Sequence, residues 1–476
     1  MSNKTFKPEY LLIALGLASC HPAQKSNVEK PNILFIVVDD LRPELGCYGH
    51  QQIKSPNIDR LASGGITFVN AYCNVPVCGA SRASLLTGIR PSPGRFVDFD
   101  TWAEKDVPGA VSLPQQFRKN GYHTISNGKV FHQMNDIRES WSEDPWNPAE
   151  LAGNYLNYLT DSNLGLLKAG NKRGLPYEST DVDDNAYFDG QIASKTIEDL
   201  RRLKQEGKPF FMAAGFLKPH LPFNAPKKYW DLYPEETIHL PNNYSRPENA
   251  PDVAIHNFGE LRSYSGIPAN GSVSDEMAHQ LIRGYYACIS YSDAQIGRVL
   301  RALEELDLAK NTIVVLWGDN GWQLGEHSLW CKHANFKTSL NTPLIMSIPG
   351  FRGNQKMKAL VEFVDVFPSL CELAGLEKPS QLQGRSFVPL MENPETPWKE
   401  AVYSRFIEGE SVKTSRYLYT EWINKKGEVY DSMLYDHQAD PSENKNIAGD
   451  TAIQDTIKKL HDQLHQQMKK SLDIHL

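Results

Sequence analysis

The chain has 476 residues, 40% hydrophobic and 22% charged, with 50 Lys and Arg against 57 Asp and Glu. That composition is ordinary for a soluble globular protein, and the length points to two or three domains. The net charge of -7 argues against a general nucleic-acid binder, yet leaves room for a local basic pocket that takes an anionic substrate.

In chain order, residues 1–20 read as a targeting segment that stands outside the fold. Lys4 and Lys7 precede an apolar run at 11–17 that is too short to span a bilayer. Leu17-Ala18-Ser19-Cys20 resembles a bacterial lipobox, which implies a lipidated Cys20 and a flexible tether over 21–30. The expected location is the bacterial cell envelope, as a periplasmic lipoprotein that meets the membrane only through its lipid. Surface-exposed and secreted forms are the alternatives.

Residues 32–38 (NILFIVV) form a continuous apolar run that ends in Asp39-Asp40, the pattern of a buried strand in a parallel sheet. Ser55-Pro56 predicts a capped helix over 55–62. Cys78 opens a second helix, whose positive dipole end would lie at its side chain. Strands are predicted at 123–126, 209–216 and 312–317. They run into Asn127-Gly128-Lys129, Leu217-Lys218-Pro219-His220 and Gly318-Asp319-Asn320-Gly321.

A helix over about 275–306 carries Ile282, Tyr286, Ile289, Ile296, Val299, Leu300 and Leu303 at helical spacing. Alternating strands and helices predict an α/β fold, with a large, mostly parallel central sheet flanked by helices and ligands at the carboxyl ends of its strands. Segments 136–185 and 225–272, rich in Asn, Pro, Asp, Tyr and Trp, are candidate walls of a substrate cleft. The main domain is expected to span 31–378. A smaller α+β subdomain is expected over 379–476, with strands at 401–405, 414–422 and 427–435, a turn at Lys425-Lys426-Gly427 and a helix at 451–470.

Three groups of side chains carry chemistry. Asp39, Asp40, Asp319 and Asn320 sit at two strand ends and offer four hard oxygen donors, a set that suits Ca2+ or Mg2+ rather than zinc. Lys129 and His132, Lys218 and His220, and Lys332 bring cations and proton carriers to strand ends. Trp322, Glu326 and His327 lie together just after the metal turn. Trp often stacks on sugar faces, and Glu or His binds hydroxyls; packing over the metal turn is the competing reading.

The run Cys78-Gly79-Ala80-Ser81-Arg82-Ala83-Ser84-Leu85-Leu86-Thr87-Gly88 resembles the signature of type I sulfatases, C-x-[PA]-S-R-x-x-x-x-T-G. The resemblance extends over about 30–445. It implies an alkaline-phosphatase-like fold and a Cys78 oxidised to formylglycine (3-oxoalanine) by a sulfatase-maturing enzyme. In that family one hydroxyl of the hydrated aldehyde attacks sulfur, and the other later expels sulfate. Position 80 is Ala where Pro is commoner.

Three segments are similar to iduronate-2-sulfatase and its bacterial uronate 2-O-sulfatase relatives. They are Gly128-Lys129-Val130-Phe131-His132, Lys218-Pro219-His220-Leu221-Pro222-Phe223, and the run from Gly321-Trp322 to Leu324-Gly325-Glu326-His327. Leu434-Tyr435-Asp436 and Asp440-Pro441-Ser442-Glu443-Asn444 are similar to the family's C-terminal motif. Asn320 replaces the His of the human lysosomal iduronate enzyme, while Asn is frequent there in other sulfatases.

Roles follow from the resemblance. Cys78 would be the nucleophile and a further metal ligand, and Arg82 would balance its charge. Asp39, Asp40, Asp319 and Asn320 would bind Ca2+, in preference to Mg2+. Lys129 and Lys332 would hold the sulfate, His132 would take a proton during sulfate release, and His220 would protonate the leaving sugar oxygen. Lys129, His220, Lys332, Trp322, Glu326 and His327 would bind substrate.

Setting aside a lipidated Cys20 and a modified Cys78 leaves five of seven cysteines, so no disulfide framework follows. The implied activity is hydrolysis of the 2-O-sulfate of a non-reducing-end hexuronic acid, 4,5-unsaturated where a lyase has cut, in heparin, heparan sulfate or chondroitin sulfate. The competing readings are a sulfatase for another sulfated glycan (iduronate-2-sulfate, an algal galactan or a fucan), a phosphoester or phosphonate hydrolase, and a non-catalytic glycan-binding lipoprotein.

Overall fold

The computed structural model describes Met1, residues 30–474 and Leu476. The targeting segment, Cys20 and the tether up to residue 29 lie outside the described residues. Seven strands build the main sheet: β1 (Asn32–Val38), β2 (Ile66–Phe68), β3 (His123–Gly128), β4 (Phe210–Phe216), β5 (Thr312–Gly318), β6 (Leu344–Ser347) and β7 (Gln355–Met357). Their order is β7-β2-β6-β5-β1-β4-β3. Strand β6 alone runs against its neighbours β5 and β2. The parallel pairs β3–β4, β4–β1 and β1–β5 bring four carboxyl ends to one edge of the sheet.

Why these runs become central strands is visible in which face each side chain takes. Along β1, Leu34, Ile36 and Val38 enter one core, and Ile33, Phe35 and Val37 enter the other. Strands β4 and β5 alternate in the same way, with Met212 and Leu316 on the first face and Phe211 and Trp317 on the second. A strand covered on both faces needs apolar residues at every position, hence NILFIVV rather than an alternating pattern. Each such side chain contributes about 1.5–3 kcal/mol on burial.

Helices α4 (Phe188–Glu206) and α5 (Asp275–Glu305) cover the first face through Ile192, Leu200, Ile282, Ile289 and Val299. Helices α2 (Cys78–Thr87), α3 (Leu113–Lys119) and α6 (Val366–Leu373) cover the second through Leu85, Phe117 and Phe367. The result is a three-layer α/β sandwich, the α/β fold with helix-flanked sheet that the sequence predicts. Helix α1 (Pro56–Ser63) is present, but Ser55 does not cap it. Its free N–H groups at Asn57 and Ile58 instead donate to the buried Asp293 carboxylate of α5.

The C-terminal part is a four-stranded antiparallel sheet, β8 (Ala401–Phe406), β9 (Gly409–Thr414), β10 (Tyr417–Ile423) and β11 (Val429–Asp436), covered by helix α7 (Gln454–Leu472). The sequence predicts three strands there; residues 409–414 form a separate fourth. Glu410 and Lys413 hide its pattern, because both are buried and Glu410 meets Arg405 at 2.9 Å. Among the described residues no helix is long and apolar enough to cross a membrane, and all six cysteines are free.

Candidate active site

The carboxyl ends of β1 and β5 meet the start of α2. Cys78 is the first residue of α2, after Val77, which offers no side-chain cap, so the helix presents unsatisfied N–H groups and its positive end there. All ten residues of α2 are buried. Gly79 is required, since a Cβ would lie 2.5 Å from the Phe99 carbonyl oxygen. Asp40 leaves β1 with φ +60, a costly backbone for a non-glycine residue and one that recurs at functional sites. Its N–H donates to Asp319 Oδ1 at 2.9 Å, tying the two strand ends together. Gly321 closes the second turn, where a Cβ would meet the Thr338 carbonyl oxygen at 2.0 Å.

Arg82, fully buried one turn along α2, organises the carboxylates. Its Nη2 donates to Asp39 Oδ1 at 2.9 Å and its Nε to Asp319 Oδ2 at 2.8 Å. Its Nη1 reaches the Lys129 and Val130 carbonyls at the end of β3. The planar fork fixes three strand ends at once, which a lysine ammonium cannot do. Lys129 donates to Asp39 Oδ2 at 2.7 Å, and Lys332 to Asp40 Oδ2 at 2.9 Å. Cys78 Sγ lies 3.5 Å from Asp40 Oδ1.

Donor atoms of Asp39, Asp40, Cys78 and Asp319 all lie within 4.8 Å of one another. Asn320 donates its Nδ2 to Asp40 Oδ1 at 2.8 Å, and its Oδ1 is buried without a partner. A fully buried carbonyl oxygen left unpaired beside three carboxylates fits a cation that all four would share. These residues fit a hard divalent cation of the kind the sequence implies.

The electrostatics are those of a buried, mixed-charge pocket. Burial pushes the Asp39 carboxyl up, but Lys129 and Arg82 outweigh it and hold the group well below the usual range. Asp319 goes the other way, to about 6, because burial and the Asp39 and Asp40 charges outweigh Arg82. Burial, then Asp39 and Asp40, push the Cys78 thiol well up, so the unmodified side chain is a neutral thiol and a poor nucleophile. His132, with its Nδ1 buried and unpartnered, is held well down by burial and by Lys129, which keeps the ring neutral.

His220 follows β4. Its Nδ1 lies 2.5 Å from the Leu221 carbonyl oxygen and its Nε2 3.1 Å from Glu260 Oε1, with Asp40 Oδ2 at 3.7 Å. Both ring nitrogens face oxygen acceptors, and Nε2 is the one that faces the site. The floor of the site is sealed: Asp40, Arg82, Asp319 and Asn320 have no exposed surface. Lys129, His220 and Glu260 retain 11–16% side-chain exposure, so solvent reaches the site from their side.

Cys78, Arg82, Asp39, Asp40, Asp319, Asn320, Lys129, Lys332 and His220 therefore converge, and His132 lies within the field of Lys129 and Asp39. Three expected substrate contacts do not. Trp322 is 1% exposed, stacks on Tyr285 (6.2 Å, 12°) and supports Lys332 from below at 5.1 Å, which leaves no face for a sugar. Glu326 accepts from Arg42 at 2.7 Å and from the Leu324 N–H at 2.6 Å. His327 is 1% exposed, stacks on Phe336 and points its Nε2 to Asn243 and the Ser442 carbonyl. The segment packs over the Asp319-Asn320 turn and receives the C-terminal motif, whose Glu443 also takes the Lys337 N–H and His437. Lys218 likewise turns inward, to the His220 and Pro222 carbonyls.

The sequence does not single out Glu260, Tyr155 or Arg173. Glu260 comes from segment 225–272 and faces both His220 and Lys332. Tyr155, from segment 136–185, meets the His220 ring edge-on at 6.1 Å. Arg173 lies over Tyr155 (5.5 Å) and Tyr264 (4.8 Å), and its Nη1 is buried without a partner. Only the placement of their segments as cleft walls was available, since these segments hold many equivalent polar and aromatic residues.

The sequence and the fold are matched by known proteins. A family profile described as Sulfatase matches residues 31–376, and one described as N-sulphoglucosamine sulphohydrolase, C-terminal, matches 325–470. The chain is 32% identical to iduronate 2-sulfatase of Homo sapiens, covering 90% of this chain and 92% of the relative. It is also 32% identical to a sulfatase of Formosa agariphila, covering 95% and 90%. A solved structure described as a complex with its substrate D-glucosamine-2-N,6-O-disulfate superposes with a TM-score of 0.77 at 23% identity, covering 94% of this chain and 99% of that one.

The fold and these matches define a hydrolase of the alkaline-phosphatase-like class. Within it, the chain belongs to the sulfatase family.

Proposed function

We propose that the protein removes the 2-O-sulfate from a hexuronic acid at the non-reducing end of heparin, heparan sulfate or chondroitin sulfate oligosaccharides. The observation that carries this reading is the 32% identity to iduronate 2-sulfatase over nearly the whole of both chains. Arg173 supports it: a guanidinium lying over Tyr155, which meets the His220 ring, brings a cation that suits the carboxylate of a uronic acid.

Asp39, Asp40, Asp319 and Asn320, with the side chain at 78, would hold Ca2+, which when bound supplies Lewis-acid polarisation of a sulfate oxygen. Cys78 would carry the formylglycine made by a sulfatase-maturing enzyme, which would supply the nucleophilic hydroxyl. Arg82 holds the carboxylates and the position-78 side chain in register. Lys129 and Lys332 neutralise the sulfuryl oxygens once substrate draws them off Asp39 and Asp40. The Nε2 proton of His220 goes to the sugar O2 as it leaves, and neutral His132 accepts a proton during sulfate release.

In the cell we place the protein on the envelope through Cys20. Cys20→Ala should then shift it from the membrane to the soluble fraction, and unchanged membrane association would remove the lipid anchor from the account.

The test of the substrate uses protein matured in the presence of a sulfatase-maturing enzyme. It is offered one lyase-generated disaccharide bearing only uronate 2-sulfate and another bearing only glucosamine 6-sulfate. Desulfation of the first alone is expected. Turnover of the second, or of neither while an aryl sulfate reacts, contradicts the uronate assignment and leaves sulfatase chemistry standing.

A further inference from the structure

A second cluster of ligand-type side chains lies on the C-terminal sheet, among residues the sulfatase chemistry does not use. Glu421 is on β10 and is 1% exposed. His461 and His465 are four residues apart on helix α7, so both rings lie on one face. Their neighbours Leu460 and Leu464 bury into the sheet beside Tyr419 and Leu434, which sets that face against β10. His461 Nδ1 is 2.6 Å from Glu421 Oε1, and His465 Nε2 is 2.8 Å from Oε2. The ring centres are 4.0 Å apart, and one ligand atom from each of the three residues lies within 4.8 Å of the other two.

We infer that Glu421, His461 and His465 form a binding site for Zn2+ or a similar first-row divalent ion that clasps the terminal helix to the C-terminal sheet. The donor set is two imidazoles and one carboxylate, with the i,i+4 histidine spacing that presents two rings to one ion. Two imidazolium ions with centres this close would repel, whereas a divalent cation between two neutral rings and a carboxylate is attracted by all three.

The carboxylate is already oriented by a neighbour on the same strand face: the Tyr419 hydroxyl donates to Glu421 Oε1 at 2.8 Å, the kind of support that fixes metal ligands. Glu410, opposite Glu421 in the sheet, is paired with Arg405 and adds no free charge. The His461 and His465 side chains are 41% and 31% exposed, which gives an ion access and leaves a fourth position for water. Binding needs the rings to part slightly from Glu421, since metal–ligand bonds of about 2 Å set ligands farther apart than a hydrogen bond. Each ring then offers to the ion the nitrogen that now faces the carboxylate, and its proton moves to the other nitrogen.

The experiment uses the full chain, treated with chelator and resupplied with saturating Ca2+, then titrated with Zn2+ by calorimetry and thermal melting. The wild type is compared with His461→Gln/His465→Gln, whose amides can still hydrogen-bond Glu421. The wild type should bind one Zn2+ more than the variant and gain about 2–5 °C in Tm at a hundredfold excess over Kd. Tyr419→Phe should weaken that binding about tenfold or more. Aryl sulfate turnover should be the same in all three proteins. Equal Zn2+ stoichiometry and an equal Tm gain in the double variant would overturn the site. Should the double variant not fold, Co2+ added to the Ca2+-saturated wild type decides: a four-coordinate visible absorption supports the site, and its absence overturns it.

Discussion

Two buried charge clusters in this molecule look alike in composition and differ in what they leave over. Around Cys78, Asp39, Asp40 and Asp319 face Arg82, Lys129 and Lys332. Elsewhere, Glu362 and Asp365 face Arg90 and Lys399. In the second cluster every carboxylate oxygen has a donor: Glu362 takes Arg90, Lys399 and Asn74, and Asp365 takes Lys399 and the N–H groups of Arg385 and Glu362. The first cluster keeps Asn320 Oδ1 and His132 Nδ1 buried and unpartnered and sets Asp40 at φ +60. A cavity of about 760 Å3 flanks the second cluster, so neither a cavity nor buried charge distinguishes the active centre. What sets the first cluster apart is the combination: an unpartnered amide oxygen and a strained backbone lie directly beside three buried carboxylates, which suits a shared cation.

The comparison can be broken by mutation. Cys78→Ala should remove turnover by at least about four orders of magnitude while leaving the circular dichroism and Tm near wild type. Residual activity above that level would dismiss position 78 as the nucleophile. Glu362→Gln in the other cluster should do the reverse. It leaves Arg90 and Lys399 short of a buried anion and should cost about 3–5 kcal/mol of stability, with turnover per folded molecule unchanged. A loss of turnover at full stability would mean that the two clusters are not separate in function.

Acid should sharpen the same contrast. Burial raises the Glu362 carboxyl, but Arg90 and Lys399 outweigh it and bring it down to about 2. A group lowered on folding stabilises above its unfolded value of about 4.5, and that contribution is lost as pH falls toward 2. Wild-type Tm should therefore fall across that window more steeply than the Tm of Glu362→Gln; parallel curves would refute it. The smallest effect is expected at His327, which packs on Phe336 and binds the Ser442 carbonyl. His327→Gln should cost about 1 kcal/mol and leave KM for sulfated disaccharide unchanged. A raised KM would restore it as a substrate contact.

Much of the framework was legible because single physical requirements dominate it. A strand buried on both faces must be apolar throughout, so β1, β4 and β5 stand out, and the first polar residues after them mark the site. The Cys78–Gly88 run carries the sulfatase signature without interruption. Strands β2, β6 and β7 have only three or four residues each, too few to show a period, and β6 reverses the parallel pattern. Trp322, Glu326 and His327 carry the right chemistry in the right neighbourhood. Only packing shows that Tyr285, Arg42 and Ser442 already occupy them. Glu260 and the pairing of Glu421 with His461 and His465 depend on tertiary contacts across large sequence separations. Local pattern carries no trace of them.

The account rests on a modified Cys78 at the centre of the strand-end cluster, and one measurement addresses that directly. Protein is prepared with graded amounts of a sulfatase-maturing enzyme. The fraction of Cys78 converted is read by peptide mass, and aryl sulfate turnover is measured on each batch under saturating Ca2+. Turnover should rise in proportion to conversion and extrapolate to zero for the unmodified thiol. Comparable turnover by fully unconverted protein would contradict the account.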